Sequence, residues 1–314
     1  MDQPTLQDIR QAAERIAPFV HRTPVLTCST LDRMCDVELF FKCENLQKVG
    51  AFKIRGATNA VFSLADEQVA RGVATHSSGN HAAAVAQAAR WRGVQAYVVM
   101  PENAPSVKVD AVAGYGAEIV FCKPTLAARE GGLAQVIART GAAFIHPYND
   151  TRVIAGQGTA ALELCEDVPD LDVVMTPVGG GGLLSGTALA VAAIAPRTDV
   201  IAAEPQGADD AYRSFQAGEI IPSINPHTIA DGLLTSLGDL TFPIIREHVR
   251  EIVTVSEADI VQAMRHIWER MKIVVEPSAA VPLGALLNRR PGLAGKRIGI
   301  ILSGGNVDLT RLPW

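Results

Sequence analysis

Short, almost entirely apolar segments alternate along this chain with segments of helical composition and spacing, and this alternation restricts its possible folds. Strands that are apolar on both faces are typical of sheets covered on both sides. Their alternation with helices favours parallel sheets joined by right-handed crossovers. Strands are predicted at 37–43, 72–75, 94–100, 118–122, 143–146, 173–178, 200–204, 252–255 and 298–302, and helices at 82–91, 126–139, 158–165, 183–193 and 257–271. The sequence therefore predicts an α/β protein with parallel sheets covered by helices.

Composition and charge argue against several classes of function. The chain has 314 residues, of which 48% are hydrophobic and 19% charged, enough for a large buried core. Its net charge is −5 and it has no Lys/Arg block, so nucleic acid is not an expected partner. No apolar run has the length of a membrane span, and the N-terminus lacks the layout of a signal peptide, so we expect a cytoplasmic protein with no membrane partner. The five scattered cysteines contain no C-x-x-C motif and are predicted to be reduced thiols.

Lys53 lies among apolar side chains, after Phe52 and before Ile54, at the start of a helix-like run. Lysine is normally solvated at a protein surface. Apolar surroundings disfavour the ammonium form and lower its pKa, which is what an amine needs to act as a nucleophile or to form a Schiff base. Alone, this pattern is more typical of a lysine that extends its ammonium into solvent. Three glycine-bearing loops favour the catalytic interpretation.

The strongest of these loops consists of Gly179, Gly180, Gly181 and Gly182, between a predicted strand and a helix of small residues. Glycine lets the backbone come close to an anion, and successive amides and the helix N-terminus direct positive partial charge at it. The pattern is neither G-x-G-x-x-G nor the P-loop, so it indicates a phosphate site without implying a nucleotide. A flexible turn is the alternative interpretation.

Two further loops carry polar side chains after predicted strands. One of them precedes an Ala-rich helix and contains Ser77, Ser78, Asn80 and His81. A helix cap needs only one such residue, and this density of hydrogen-bonding groups at a strand's carboxyl end is typical of a ligand site. The other loop contains Ser303 before two glycines and is a weak signal by itself.

Taken in chain order, the apolar lysine segment, the Ser-Ser-Gly-Asn-His loop, the tetraglycine loop and the late Ser-Gly-Gly-Asn loop resemble the fold-type II pyridoxal-phosphate (PLP) enzymes. Within them, the chain is most similar to the serine/threonine dehydratase and serine racemase family, from His21 to Leu309. The resemblance implies a two-domain fold like that of the tryptophan synthase β subunit. Residues 1–71 and 150–314 would form a large PLP-binding domain, and 72–149 a small mobile domain. It also implies a homodimer.

The resemblance assigns the cofactor contacts position by position. Lys53 would bind PLP covalently and move the Cα proton of the substrate. Phe52 would pack beside the cofactor ring, Asn80 would donate to its phenolic oxygen, and Ser303 would meet the pyridine nitrogen. The phosphate would be bound by Gly179, Gly180, Gly181 and Gly182. The pocket for the substrate carboxylate would be formed by Ser77, Ser78, Asn80 and His81.

Ser303 bears on the type of reaction. A hydroxyl group favours a protonated pyridine less than a carboxylate does, so the cofactor would be a weaker electron sink and would stabilise a carbanion less. Loss of a β-hydroxyl as the Cα proton leaves avoids accumulation of that carbanion. We therefore predict β-elimination from a small hydroxy amino acid (L-serine, L-threonine or 3-hydroxyaspartate) to a 2-oxo acid and ammonia. The alternative is a serine or aspartate racemase, because Ser78 stands where the racemases carry a second acid/base group.

The resemblance also assigns the far end of the substrate pocket and a divalent cation site. Arg129 matches an arginine that faces the far end of the pocket, where its guanidinium would bind an acidic side chain. Ser236 would line the same pocket. Mg²⁺ or Ca²⁺ would be bound by Glu204, the carbonyl of Ala208, and Asp210. A surface arginine and a solvated acidic loop are the alternative interpretations.

Three observations bear on rival functions. Tyr148 follows a His-Pro pair where the animal racemases differ, and it would lie near the edge of the cofactor, so the preferred substrate stays open. A catalytically silent PLP- or amino-acid-binding regulator has no chemical need for Lys53, Asn80 and Ser303 together. A nicotinamide enzyme on a Rossmann sheet would need the G-x-G-x-x-G motif, which this sequence lacks.

Overall fold

The computed structural model describes residues 3–77, 79–104, 106–287 and 291–314. Its strands are β1 (Val25–Leu26), β2 (Glu38–Cys43), β3 (Val73–His76), β4 (Ala96–Pro101), β5 (Glu118–Cys122), β6 (Ala143–Phe144), β7 (Val173–Pro177), β8 (Asp199–Pro205), β9 (Glu251–Val255) and β10 (Arg297–Leu302). Its α-helices are α1 (Leu6–Ile16), α2 (Ser29–Cys35), α3 (Lys53–Ser63), α4 (Asp66–Val69), α5 (Asn80–Arg92), α6 (Ser106–Gly114), α7 (Leu126–Thr140), α8 (Thr151–Asp167), α9 (Gly182–Ile194), α10 (Asp210–Ala217), α11 (Thr241–His248), α12 (Glu257–His266) and α13 (Pro277–Leu287).

The strands form two sheets. A six-stranded sheet has the order β1-β2-β10-β7-β8-β9, and a four-stranded sheet has the order β5-β4-β3-β6. Among the described strands, only β1 and β2 pair antiparallel. The smaller sheet is built entirely from the segment 73–144, whereas strands before and after that segment share the larger sheet. The prediction of an α/β fold with parallel sheets is confirmed.

Both sheets are covered on both faces, which explains the continuous apolar strands. In β10, Ile298 and Ile300 face one buried apolar cluster, and Ile301 faces another on the opposite side. In β4 of the smaller sheet, Val98 and Val99 likewise belong to clusters on opposite faces. A strand with two buried faces has no position for an alternating polar residue.

All nine predicted strands are confirmed, with bounds within two residues. The predicted helices are also present, but α8 begins seven residues before the predicted start of 158. Asp150 caps it by accepting from the Arg152 N–H at 2.8 Å. The start of α8 was missed because glycine disfavours helix in sequence-based prediction. Glycine is needed at position 156, since a Cβ there would lie 2.6 Å from the Cα of Gly56 in α3 and would keep the two helices apart. The helix predicted at 257–271 is α12, which ends at His266 and is followed by a π-helical turn at Ile267–Met271.

A buried charge cluster holds the first turn of α3. Arg55 is fully buried, and its guanidinium donates to Glu44 and to Glu163, each at 2.7 Å. The buried Lys42 amine pairs with the same Glu163 at 2.7 Å. Removing one partner from such a cluster leaves an uncompensated buried charge, which typically costs about 3–5 kcal/mol. Two residues before Arg55, Lys53 thus begins a helix whose position is fixed by buried ion pairs.

All five cysteines are free thiols, as predicted. Within the described ranges, no helix combines the length and the apolarity needed to cross a lipid bilayer.

Candidate active site

The polar loops predicted from the sequence follow strands of both sheets at their carboxyl ends. Ser77 comes directly after β3, the glycine turn 179–182 after β7, and Ser303 after β10. This edge of a parallel sheet is where ligands bind in α/β proteins. The N–H of Phe52 donates to the Ser303 carbonyl at 3.0 Å, so the start of α3 lies at the same edge.

Lys53 is the first residue of α3, and its amine donates to the Pro147 carbonyl at 2.8 Å. The Phe52 ring lies beside it, with 5.1 Å between the amine nitrogen and the ring centroid. Burial disfavours the ammonium form and lowers the pKa of Lys53 to about 8, although the negative charge of Glu276 opposes this effect. The lowered pKa expected from the sequence agrees with this burial, and it leaves more of the amine unprotonated at neutral pH than in a solvated lysine.

The glycine turn is buried and held by neighbouring side chains. Gly181 has φ +89°, in the left-handed region that favours glycine, and α9 begins at the next residue. A Cβ at Gly180 would lie 2.3 Å from the ring of Tyr148, and the Thr241 hydroxyl donates to the Gly180 carbonyl at 2.9 Å. In the described part of the chain, the turn's own amides find no hydrogen-bond acceptor. A buried set of free amides at a helix N-terminus fits a phosphate group.

Asn80 opens α5 and is held by a carboxylate that sequence reasoning missed. Its side-chain amide donates to the two oxygens of Glu276 at 2.9 and 3.1 Å, and its own oxygen accepts from Asn306 at 2.9 Å. Glu276 is 4% exposed, and this burial raises its pKa to about 7. In the sequence, this role could have been suspected only because Glu276 is a single acidic residue in the apolar run before Pro277. Asn80 thus has a fixed orientation beside Lys53.

The serine and histidine side chains of the β3–α5 loop differ in their surroundings. The Ser77 hydroxyl accepts from the Gly79 N–H at 3.3 Å. His81 is 2% exposed, and its Nε2 lies 3.2 Å from the Ile145 carbonyl, which can only accept, so the ring proton lies on Nε2. Nδ1 has no partner among the described residues, and burial holds the His81 pKa well below its usual range. Ser78 lies outside the described residues.

Arg129 and Ser236, the residues predicted at the far end of the substrate pocket, have different surroundings. Arg129, in the first turn of α7, is half-buried, and within the described segments its guanidinium makes no hydrogen bond or ion pair. Its positive charge lowers the pKa of both Tyr148 and His76. The Ser236 hydroxyl accepts from the Ser223 N–H at 2.8 Å, and it is its neighbour Thr235 that bonds to the Tyr148 side chain. The unpaired guanidinium is available to an anionic ligand.

The predicted cation ligands lie together at the end of β8. Glu204 is fully buried and accepts from the N–H groups of Ala211 and Tyr212 at 2.9 and 2.8 Å. Asp210 is 1% exposed, and its carboxylate interacts with the Ser223 side chain. Burial raises the pKa of Glu204 to about 8 and that of Asp210 to about 6. Two buried carboxylates so close that the charge of Asp210 raises the pKa of Glu204 fit a divalent cation.

The cation site would be small. Ala208 is buried in the short 3-10 turn Gln206–Ala208, between the two carboxylates in sequence. In the described ranges, no group of three or more His, Cys, Asp and Glu side chains is arranged to hold a metal ion. A cation here would therefore depend on two carboxylates, a backbone carbonyl and water.

Comparisons with known proteins agree with this architecture. Residues 16–304 match the model of a family described as pyridoxal-phosphate dependent enzyme. The chain is 56% identical over 311 residues to a β-hydroxyaspartate dehydratase from Paracoccus denitrificans, covering 99% of both chains. It is 53% identical over 312 residues to a serine racemase from Dictyostelium discoideum, covering 98% of this chain and 96% of the relative. The structure of maize serine racemase superposes with a TM-score of 0.97 at 50% identity, covering 98% of this chain and 95% of the other.

The two covered sheets with a lysine and a glycine turn at their shared edge define a fold-type II PLP enzyme. The chain belongs to the pyridoxal-phosphate dependent enzyme family.

Proposed function

We propose that this protein is a PLP-dependent ammonia-lyase that eliminates water from a small hydroxy amino acid and releases a 2-oxo acid and ammonia. The main support is the environment of the Lys53 amine, which donates to the Pro147 carbonyl and lies beside the Phe52 ring. Burial lowers the pKa of this amine to about 8. The relative from Paracoccus denitrificans, a β-hydroxyaspartate dehydratase, supports the same reaction class.

In this reaction, the protein's own groups would have the following roles. The amides of the glycine turn would bind the cofactor phosphate, Lys53 would hold PLP covalently, and Asn80 would orient its ring. When bound, PLP would supply an electron sink for the pair left at the substrate Cα. The Lys53 amine would accept the Cα proton and return a proton to the departing β-hydroxyl, which leaves as water. The resulting enamine takes up a proton and is hydrolysed to the 2-oxo acid and ammonia.

Among the candidate substrates, we infer that 3-hydroxyaspartate is preferred over L-serine and L-threonine. The support is Arg129, a half-buried guanidinium with no hydrogen bond or ion pair in the described part of the chain. A planar guanidinium binds a carboxylate through two parallel hydrogen bonds. Only 3-hydroxyaspartate carries a second carboxylate.

An assay of 2-oxo acid formation tests the proposal. The PLP-loaded enzyme is incubated with L-serine, L-threonine and L-threo-3-hydroxyaspartate, beside a Lys53→Ala variant as the control. We expect 2-oxo acid and equal ammonia from at least one of these substrates, and a loss of on the order of a thousandfold or more in the variant. No 2-oxo acid from any of them, with the cofactor verified by absorbance, would refute the lyase assignment.

The second candidate is a racemase, supported by the 53% identity to the serine racemase from Dictyostelium discoideum. Removal of the Cα proton by Lys53 is the step that the two reactions share, and Ser78 remains the predicted group on the second face. Chiral chromatography after incubation of one enantiomer of serine or aspartate separates the two. Racemised amino acid without 2-oxo acid would favour the racemase.

We propose further that Glu204, Ala208 and Asp210 bind Mg²⁺ or Ca²⁺, with a stabilising role. The burial of the two neighbouring carboxylates, which raises the pKa of both, supports this assignment. We also propose a cytoplasmic homodimer in which residues 72–149 close over the substrate, excluding water from the reaction. The separate four-stranded sheet of the segment 73–144 supports its motion as a unit. Light scattering, and hydrogen exchange with and without substrate, test the dimer and the closure.

A further inference from the structure

Two histidines without an assigned role lie near Lys53 and Arg129. His76 ends β3 and His146 follows β6, the neighbouring strand of the smaller sheet. Their ring centroids are 6.3 Å apart, and both rings pack on Phe144. The Pro147 carbonyl that holds the Lys53 amine belongs to the residue after His146. The pair is therefore adjacent to the reacting centre in the fold.

His146 has a fixed tautomer. Its Nδ1 accepts from the backbone N–H groups of Tyr148 at 3.2 Å and of Asn149 at 2.8 Å. With Nδ1 used as an acceptor, the ring proton lies on Nε2. That N–H makes no hydrogen bond to any residue in the described part of the chain. His146 thus presents a donor of fixed orientation, in a ring that packs edge-on against Tyr148 with 4.7 Å between centroids.

His76 is close enough to Arg129 and to His146 for their charges to interact. The positive charge of Arg129 lowers the pKa of His76, and the negative charge of Glu130 raises it. A charge on His76 in turn lowers the pKa of His146. A positive charge on Lys53 also lowers the pKa of His146, and the negative charges of Asp150 and Asp239 oppose this effect. Burial lowers the pKa of both rings, that of His146 to about 4, so both are neutral donors at physiological pH.

We propose that His146 and His76 are specificity-determining residues that, together with Arg129, bind the side-chain carboxylate of a dicarboxylic hydroxy amino acid. The inference rests on the proposed function and adds two residues that would determine its substrate specificity. A substrate bound beside the Lys53 amine lies close to these side-chain donors, because Pro147, whose carbonyl accepts from that amine, directly follows His146. A carboxylate can accept from two imidazole N–H groups and the guanidinium, whereas the hydrogen or methyl group of serine or threonine leaves these donors unpaired.

The test uses holoenzyme variants that remove one donor each. In His146→Asn the amide oxygen can replace Nδ1 as the acceptor for the turn, but nothing replaces the Nε2 donor. In His76→Phe the ring still packs on Phe144 but carries no N–H. His248→Asn, on α11 and outside the site, is the matched control. For each variant, kcat/KM is measured with L-threo-3-hydroxyaspartate and with L-serine, and unfolding temperatures verify the fold.

We expect the ratio of kcat/KM for the dicarboxylic substrate to that for L-serine to fall on the order of tenfold in each variant, and to stay unchanged in the control. A binding measurement separates recognition from chemistry: affinities for L-aspartate and L-alanine, which lack a leaving group, are read from the absorbance of bound PLP. Their ratio should fall in parallel. Unchanged ratios in both variants, or a wild-type enzyme that does not prefer L-aspartate to L-alanine, would overturn the inference. Neither result would touch the lyase proposal, which depends on 2-oxo acid formation.

Discussion

The two sides of the candidate site differ in the kind of free hydrogen-bond donor that they present. On the larger sheet, the glycine turn and Ser303 are buried, and their neighbours are tied to them by backbone and hydroxyl hydrogen bonds. On the smaller sheet, Arg129 and the outer nitrogens of His76 and His146 have no partner in the described part of the chain. Buried backbone donors held in place by such bonds suit a cofactor that stays bound, and free side-chain donors suit a substrate that enters and leaves.

The predictions below test this division. If it is correct, changes on the larger sheet should affect cofactor binding, and changes on the smaller sheet should affect the choice of substrate.

Gly180→Ala should have the largest effect, because a methyl group there would overlap the Tyr148 ring at 2.3 Å. We expect PLP affinity to fall on the order of a hundredfold, through displacement of the turn. Gly131→Ala in α7 is the matched control, since nothing lies within 4 Å of a Cβ at that position. Titration of the apoenzymes with PLP, followed by absorbance, measures both. Equal PLP affinity in Gly180→Ala and wild type would show that the turn does not bind the cofactor.

The rate of PLP attachment should depend on pH through Lys53. Only the neutral amine attacks an aldehyde, and the Lys53 pKa of about 8 sets its fraction. Between pH 6 and 7.5 the rate should rise about tenfold per pH unit, and it should level off above pH 8. Stopped-flow absorbance of the apoenzyme measures it. A rise that continues to pH 10 would indicate an ordinary solvated lysine.

Glu276→Gln should change the pH dependence of stability. Because the folded-state pKa of Glu276 is raised to about 7, its contribution to the unfolding free energy is full below pH 4.5 and is lost as the pH rises to 7. The neutral amide should remove this slope, which amounts to at most about 3 kcal/mol. Denaturant unfolding of the two apoenzymes from pH 5 to 8 tests it. Parallel stability curves would mean that Glu276 ionises normally.

The smallest effect is expected at the candidate cation site. Added Ca²⁺ or Mg²⁺ should raise the unfolding temperature of the chelator-treated enzyme by a few degrees, corresponding to about 1 kcal/mol. Asp210→Asn should abolish this shift. Asp209→Asn should retain it, because Asp209 is partly exposed and pairs with Arg213 instead. A shift that survives Asp210→Asn would place the cation elsewhere.

The fold was largely predictable because strands buried on both faces leave continuous apolar runs in the sequence. The glycine turn and Lys53 were predictable for a similar reason, since each requires an unusual residue type in an unusual neighbourhood. Helices such as α8 were shortened in the prediction because Gly156 is needed for contact with α3, which local propensity cannot show. Glu276 and the histidine pair were missed because their roles depend on contacts made across the fold.

The location of the PLP–lysine bond tests the account most directly. Borohydride reduction of the holoenzyme, followed by proteolysis and mass spectrometry, identifies the modified lysine. The account predicts one reduced pyridoxyl group per chain, on Lys53, in the peptide that begins α3. Label on any other lysine, or no label in an enzyme that forms 2-oxo acid, would contradict it.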